Sequence, residues 1–239
     1  MENKLELEHY KRTKIITTYG PSTEDVSILE RMIEKGANVF RINSSHLQSP
    51  DQIDDIFRNI QMAAQNVDHY VATLLDLQGL KIRTSAFEGG SVILEDNQEV
   101  EITTDEIEGT SQLIPILYPY LISDIEIDDP IYLDDGKIKL QVVKKEKDRL
   151  FAVVVEGGKL SNYKGVNLPV TPIRLSPFTE RDKRFTQKAC ELGIDFVAMS
   201  FIATGDDISQ MRSFLNERKS PTQIVAKIER QLAVDNIQD

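Results

Sequence analysis

Five short apolar runs, each followed at once by polar or charged residues, constrain the fold of this chain more than any other feature. The runs are Ile15–Thr18, Val39–Ile42, Val71–Leu75, Phe196–Met199 and Ile224–Ile228. Strands that are buried on both faces, as in parallel sheets, read as continuous apolar runs. Barrel enzymes gather their reactive side chains at the carboxyl ends of such strands. The pattern predicts an α/β fold, a TIM-type (β/α)8 barrel that is incomplete because about five strands are present.

Helix start and stop signals lie between most of these runs. A capping-box pattern at 22–25 and another at 179–182 each precede a stripe of apolar residues, and Gly36 and Gly193 end the two stripes. A further helix is predicted over 206–217. The alternation of apolar run and helix is the repeat expected of a barrel.

Residues 85–169 show a different pattern. Short β-rich runs alternate there with turn pairs such as Gly89-Gly90 and Asp135-Gly136, and hardly any helical period occurs. We therefore predict three segments: barrel strands one to three over 1–84, an inserted all-β domain over 85–169, and helix three to strand five over 170–239.

Composition and charge exclude several classes of function. The 28 basic and 39 acidic residues give a net charge of −11, which argues against non-specific binding to nucleic acid or anionic membranes. No run approaches the roughly 20 apolar residues of a membrane span. The first eight residues lack the apolar core of a signal peptide, so a cytoplasmic protein is expected. Cys190 is the single cysteine and is predicted to be a buried thiol on the apolar face of a helix.

Eight motifs, read in order, resemble the pyruvate kinase family. They are Thr13-Lys-Ile…Gly20-Pro21, Arg41-Ile-Asn-Ser-Ser-His46, Asp76-Leu-Gln-Gly-Leu-Lys-Ile-Arg83, Asp134-Asp-Gly136, Gly157-Gly-Lys-Leu-Ser161, Lys164-Gly-Val-Asn-Leu-Pro169, Asp195-Phe-Val-Ala-Met-Ser-Phe201 and Ala226-Lys-Ile-Glu229. The resemblance covers nearly the whole chain and makes the all-β insertion a lid domain. It implies transfer of a phosphoryl group from phosphoenolpyruvate to ADP, the last step of glycolysis, with magnesium or manganese. Another phosphoenolpyruvate-using barrel is an alternative, which the lid and the 164–169 stretch disfavour.

The resemblance assigns roles to three cations. Lys227 meets the phosphoryl group and the developing enolate, Arg41 contacts phosphate, and Arg83 supports the substrate end of the site. Cations suit this chemistry because a transferring phosphoryl group spreads negative charge over its oxygens. The alternative for each is a solvated cation or a salt bridge to a barrel neighbour. A place at the end of a barrel strand disfavours that alternative for Lys227 and Arg41.

Glu229 is a divalent-metal ligand by resemblance. It lies two residues after Lys227, so both side chains would point to the same side if the strand were regular. Magnesium prefers oxygen ligands, usually one or two carboxylates with waters and substrate oxygens. The family's second carboxylate is expected after a sixth strand, outside this sequence. An ion pair with Lys227 is the alternative role.

The family's potassium-holding positions are matched by Asn43, Ser45 and Asp76. Leu77, Gln78 and Lys81 stand where potassium-dependent members carry threonine, lysine and glutamate. Members with the leucine, glutamine and lysine set tend to work without potassium, and an ammonium near the monovalent site would supply the charge. We expect that potassium is not required and that Lys81 replaces it.

The ADP-contacting positions of the family are matched by Pro21, Asn43, His46 and Lys164. His46 could equally be a hydrogen-bonded loop histidine, and Asp135 is expected to serve a turn rather than lid closure. Departures from the family pattern occur at Ser44, which replaces an aromatic residue, and at Leu47, which replaces a glycine. These departures predict altered loop geometry beside the ligand positions.

Five strands do not close a barrel, and three accounts follow. The chain is a fragment of a pyruvate kinase, or a binding or regulatory remnant without turnover, or a half-barrel completed by a second copy or another chain. An open half-barrel would expose strand edges and an apolar face. We therefore expect a homo-oligomer or completion by the missing half, with phosphoenolpyruvate or pyruvate and ADP or ATP as small-molecule partners.

Overall fold

A computed structural model of the protein describes residues 13–239. The first twelve residues, including the stretch that lacks a signal-peptide core and the start of the predicted first segment, lie outside the described part. The first elements are β1 (Ile16–Thr18), α1 (Val26–Glu34), β2 (Val39–Asn43), α2 (Gln52–Asn66) and β3 (Ala72–Asp76). The next are β4 (Ser91–Leu94), β5 (Glu99–Thr103), β6 (Leu113–Pro115), α3 (Leu121–Asp124), β7 (Pro130–Leu133), β8 (Ile138–Lys145), β9 (Leu150–Glu156), β10 (Gly158–Ser161) and β11 (Val166–Asn167). The last are α4 (Glu180–Leu192), β12 (Phe196–Met199), α5 (Gly205–Glu217), β13 (Gln223–Ala226) and α6 (Gln231–Asp235).

The five predicted apolar runs form one all-parallel sheet with the order β1-β2-β3-β12-β13. Neighbours in space follow the order of the chain, without the reversal that marks a doubly wound sheet, so the order is that of successive barrel strands. The register pairs Thr18 with Arg41 and Asn43 with Asp76. The carboxyl ends of the strands therefore lie along one edge, and the α/β prediction is confirmed.

The predicted fifth strand is wrong at its end. It was expected to reach Ile228, but β13 ends at Ala226 because its partner β12 ends at Met199. Only the bond from the Lys227 amide to the Met199 carbonyl, 3.1 Å, extends the pairing. The regular strand that would align the Lys227 and Glu229 side chains is therefore absent at these residues.

The helices begin and end largely where their caps predict. The Thr179 hydroxyl accepts a bond from the Asp182 amide in a reciprocal capping box, and Gly193 ends α4 with a φ of 71°. α1 differs from expectation, because its N-cap is Asp25, whose carboxylate accepts from the Ser27 amide, and not Ser22. The apolar face of α2 is buried at Ile53, Ile56, Ile60, Ala63 and Ala64.

Cys190 is half-buried and not fully buried as predicted. It lies near the end of α4, where the neighbouring Ala189 takes the buried position.

The described chain forms two compact units. The sheet unit comprises residues 13–78, Phe178–Ser200 and Ile208–Lys227. The insertion unit comprises Gly79–Pro177, Phe201–Asp207 and Ile228–Asp239. No helix in residues 13–239 combines the length and apolar character that crossing a bilayer requires.

The insertion unit has a β-sheet core of its own. Its larger sheet has the order β11-β7-β8-β9-β5-β6, and β10 pairs with β4 in a second sheet. Fully buried side chains of this core include Phe87, Ile102, Ile114, Leu140 and Leu150. α3, with four residues, is the only α-helix between β3 and α4, as the β-rich pattern of this region predicts.

Candidate active site

The carboxylate of Asp76 holds two cations at the carboxyl edge of the parallel sheet. Asp76 ends β3, and its side chain is 5% exposed. Arg41, on β2, donates from Nε and Nη2 to Asp76 Oδ2 at 2.8 and 2.6 Å. The ammonium of Lys227, just after β13, lies 3.1 Å from Asp76 Oδ1. Two cations and one carboxylate leave this group with one net positive charge, in a chain whose total charge is −11.

Ser200 provides the second acceptor for Lys227. The Ser200 hydroxyl lies 2.8 Å from Lys227 Nζ and 2.8 Å from the Leu77 carbonyl oxygen. A hydroxyl has one proton, which Ser200 donates to the carbonyl, so its oxygen accepts from the lysine. Asp76, Leu77, Ser200 and Lys227 thus close a ring of bonds that holds the ammonium in place. Thr18 joins this group, because Arg41 Nη1 also donates to Thr18 Oγ1 at 3.1 Å. We call the whole group the cation cluster: Thr18, Arg41, Asp76, Leu77, Ser200 and Lys227.

A cavity of about 590 Å³ opens at the same edge of the sheet unit. It is lined by Tyr19, Gly20, Pro21, Glu24, Ile42, Asn43, His46, Leu47, Gln52, Asp55 and Ile56. Its volume lies in the range that holds small organic ligands, and its lining combines apolar walls with a few polar groups. Three of the four predicted ADP-contacting residues, Pro21, Asn43 and His46, line this one cavity.

The loop after β2 is shaped by its own side chains. Asn43 caps the 3₁₀ turn Ser44–His46, since its Oδ1 accepts from the Ser45 amide at 3.1 Å. Three residues are predicted to hold a monovalent cation: Asn43 and Asp76 end the neighbouring strands β2 and β3, and Ser45 lies in the turn after β2. Asp76 Oδ2 accepts from Arg41 and Asp76 Oδ1 accepts from Lys227. Arg41 and Lys227 thus form the salt bridges that were considered as their alternative role.

In the insertion unit, Lys164 is held by the turn between β7 and β8. Its ammonium lies 2.9 Å from Asp134 Oδ1, while Lys137 Nζ lies 2.9 Å from Oδ2. Asp134, Asp135 and Gly136 take left-handed φ values of 49°, 58° and 86°. Asp135 therefore lies in the turn, as its conformational interpretation expects. Hydrogen bonds from Lys164, then from Lys137, hold the pKa of Asp134 below its ordinary value.

The lowered pKa of Asp134 predicts how the stability of the folded protein changes at acidic pH. The ionised carboxylate stabilises the folded state fully above the unfolded-chain pKa of about 3.9, and this contribution is lost as pH falls through the lower folded value. We expect Asp134→Asn to flatten the fall of the thermal midpoint between about pH 5 and 2. Thermal unfolding followed by circular dichroism across this range measures it. Asp148→Asn, at an exposed aspartate of the β8–β9 turn, should retain the wild-type slope; equal slopes for Asp134→Asn and wild type would contradict the prediction.

The remaining predicted site residues also lie in the insertion unit. Arg83 donates from Nη1 to the Tyr163 carbonyl at 2.6 Å. Glu229 accepts from the Phe201 amide through Oε2 at 3.1 Å. Burial lowers the pKa of Lys81, the charge of Arg83 lowers it further, and Asp135 opposes both effects.

The chain offers the type of ligand atom that a divalent cation prefers, but it offers few such ligands. Glu229 offers carboxylate oxygen, the donor that magnesium prefers. Within residues 13–239, no group of three or more histidine, cysteine, aspartate or glutamate side chains is arranged to hold a metal ion. Waters, substrate oxygens or further carboxylates would have to complete the coordination of a magnesium ion at Glu229.

A family model described as pyruvate kinase, barrel domain, matches residues 10–239. The chain belongs to the pyruvate kinase family. It is 36% identical over 231 residues to pyruvate kinase of Staphylococcus aureus strain MRSA252, covering 96% of this chain and 39% of that protein. It is 35% identical over 228 residues to pyruvate kinase of Corynebacterium glutamicum strain ATCC 13032, covering 95% of this chain and 48% of that one.

A crystal structure of a pyruvate kinase from Cryptosporidium parvum superposes with a TM-score of 0.88 at 30% identity, covering 95% of this chain and 48% of the other. The predicted family and the incomplete barrel of the pyruvate kinase fold are thereby confirmed. The chain spans 39% to 48% of the length of these relatives.

Ser200 and Thr18 contact the cations of the site and were not predicted to do so. Both stand where an apolar run ends, as Asp76 does. A rule that every polar residue at a strand end faces the site would have included them. The roles that the resemblance assigns to Lys227, Arg41 and Arg83 stay predictions.

Proposed function

We propose that this chain supplies part of the active site of a pyruvate kinase, which transfers a phosphoryl group from phosphoenolpyruvate to ADP. The observation that carries the proposal is the cation cluster, whose net positive charge lies at the carboxyl edge of a pyruvate kinase sheet. The cavity with Pro21, Asn43 and His46 at the same edge supports a nucleotide beside it. Because the chain spans less than half of its relatives' length, the proposal concerns the protein as a whole.

In the proposed reaction, the bond between phosphorus and the enol oxygen breaks and a bond to the terminal phosphate oxygen of ADP forms. The enolate that remains takes a proton and becomes pyruvate. Arg41 neutralises the phosphoryl oxygens, and Lys227 stabilises the phosphoryl group and the enolate oxygen. Asp76 and Ser200 keep both cations in place before substrate arrives, so little reorganisation is needed during transfer. Arg83 supports the substrate, and Lys164 contacts the nucleotide.

Glu229 would hold magnesium or manganese in this proposal. The ion would supply positive charge to the phosphoryl oxygens and orient the two substrates. The family generally uses magnesium and potassium. Glu229 is the carboxylate at which this chain matches the family's divalent-metal motif.

We propose further that the protein works without potassium. Lys81 provides a fixed charge by resemblance, and Asp76 is paired with Arg41 and Lys227 in the structure. Activity should stay within about twofold from zero to 100 mM potassium at constant ionic strength, because a charge held by the protein replaces that of the ion. Sodium or tetramethylammonium chloride serves as the balancing salt. A strict requirement for potassium would contradict the proposal.

A coupled lactate dehydrogenase assay tests the main proposal, on residues 1–239 and on the product of the gene at its natural length. Pyruvate formation that depends on phosphoenolpyruvate, ADP and magnesium is expected of a complete site. Calorimetric titration of residues 1–239 with ADP and with phosphoenolpyruvate tests the two parts of the site separately. Lack of turnover by the natural product, together with lack of binding, would refute the proposal.

A second candidate is a ligand-binding protein without turnover. The chain spans only 39% to 48% of its relatives' length, which favours this candidate for residues 1–239 alone. Binding of both ligands without pyruvate formation by the natural product would select this candidate.

A further inference from the structure

The nucleotide cavity has one wall made by the loop 43–47, and this loop is held from outside by an arginine. Asn43, His46 and Leu47 of the loop line the cavity. Arg181, in the first turn of α4, donates from Nη2 to the carbonyl oxygens of Ser44 and Leu47 at 2.8 and 2.5 Å.

The loop cannot satisfy its own polar groups. The Ser44 carbonyl also accepts from the Leu47 amide at 3.1 Å, but the Leu47 carbonyl ends the turn and needs a donor from elsewhere. Ser44 is fully buried, and its hydroxyl has no partner among residues 13–239. The buried side chain of Ser44 therefore contributes no hydrogen bond within the described chain that would fix the loop's conformation, whereas its carbonyl oxygen is bonded.

Arg181 is itself fixed by packing. Its guanidinium lies over the Phe185 ring, with Cζ 4.3 Å from the ring centroid. Phe185 is buried and lies one helical turn further along α4. A planar guanidinium stacked on a buried ring has few alternative rotamers, so the two bonds to the loop are made in a defined geometry.

We propose that Arg181 is a positioning residue for nucleotide binding: by bonding the Ser44 and Leu47 carbonyls it holds the loop that presents Asn43 and His46 to the cavity. Arg181 is absent from the cavity lining and acts through the loop. The inference rests on the proposed function, because it assigns the cavity to the nucleotide.

The test compares Arg181→Met, Arg181→Lys and a matched control, Arg184→Met. Arg184 is an exposed arginine on the same helix, three residues further on. Calorimetry measures the dissociation constants of ADP and of phosphoenolpyruvate for each protein. We expect Arg181→Met to weaken ADP binding about tenfold or more and phosphoenolpyruvate binding less than about twofold, because the cation cluster does not depend on the loop. Arg181→Lys should recover part of the loss, and Arg184→Met should match wild type.

Hydrogen exchange at the Leu47 amide provides a readout that needs no ligand. Arg181→Met should speed exchange at this amide about tenfold, since the loop opens more often without its donor. Unchanged exchange would overturn the inference whether or not ADP binds. Equal weakening of ADP and phosphoenolpyruvate would also overturn it, because it would show a general loss of structure. Failure of wild type to bind ADP, with faster exchange in Arg181→Met, would instead refute the proposed function and restrict Arg181 to the loop.

Discussion

Replacing Lys227 by methionine should lower kcat for phosphoryl transfer by about a thousandfold, since preorganised cations at a transferring phosphoryl group contribute effects of this size. Methionine keeps the length and packing of the side chain and removes its charge. The ammonium is expected to act on the phosphoryl group and on the enolate, so the loss should appear in kcat while the KM for ADP changes less than about threefold. Steady-state kinetics by the coupled assay on the natural gene product measures both.

Lys147→Met is the control for this experiment, because Lys147 is an exposed lysine in the turn between β8 and β9. It should leave kcat unchanged. A Lys227→Met enzyme that retains more than about a tenth of wild-type kcat would show that Lys227 is only a partner of Asp76, because removing a cation that acts in the transition state costs far more.

Replacing Asp76 by asparagine should lower the free energy of unfolding by about 2 kcal/mol, because it leaves two cations beside an almost fully buried neutral side chain. The cost is set below that of a fully buried pair because Arg41 and Lys227 keep 31% and 30% of their side chains exposed. Urea unfolding of residues 1–239, followed by circular dichroism, measures the change.

Asp55→Asn is the matched control for stability, since Asp55 pairs with Arg58 at an exposed position where both side chains are more than two-thirds exposed. Exposed pairs of this kind contribute about 0 to 1 kcal/mol. The double variant Asp76→Asn with Lys227→Met should be more stable than the sum of the single changes predicts, because each removes the same interaction. Additive changes would indicate that the two side chains do not interact in solution.

The strands and most helix ends were predictable because their signals are local. The buried strands β3 and β12 carry continuous apolar runs, and β1 and β13 carry runs of the same kind although none of their residues is buried. The capping box at Thr179 and Gly193 defined α4 at both ends. The start of α1 was predicted wrongly because Ser22 lies inside a separate 3₁₀ turn, Pro21–Thr23, which the Thr23 hydroxyl closes by accepting from the Gly20 amide at 2.9 Å. The end of β13 was missed because it depends on where its neighbour β12 stops, which β13's own residues do not show.

The site was predictable in its members and less so in its contacts. The resemblance to pyruvate kinase selected Arg41, Asp76 and Lys227, and position near strand ends favoured a functional role for Arg41 and Lys227. The structure brings all three together. The pairing of Asp76 with both cations depends on the conformations of side chains that lie on or just after three different strands. No local sequence pattern reports such conformations. Arg181 contacts a carbonyl 137 residues away in sequence, so no spacing could connect the two.

The ring of bonds around Lys227 ties the placement of the ammonium to the alignment of β13 on β12. Sliding β13 by one residue would turn every side chain of that segment to the opposite face and carry the ammonium away from both acceptors. Apolar substitutions in β13 that never touch a substrate would then impair turnover as a change in the site itself does. We accordingly expect a substitution in β13 to be tolerated when it preserves the register of β13 on β12. The hydrophobicity of the new side chain should matter less.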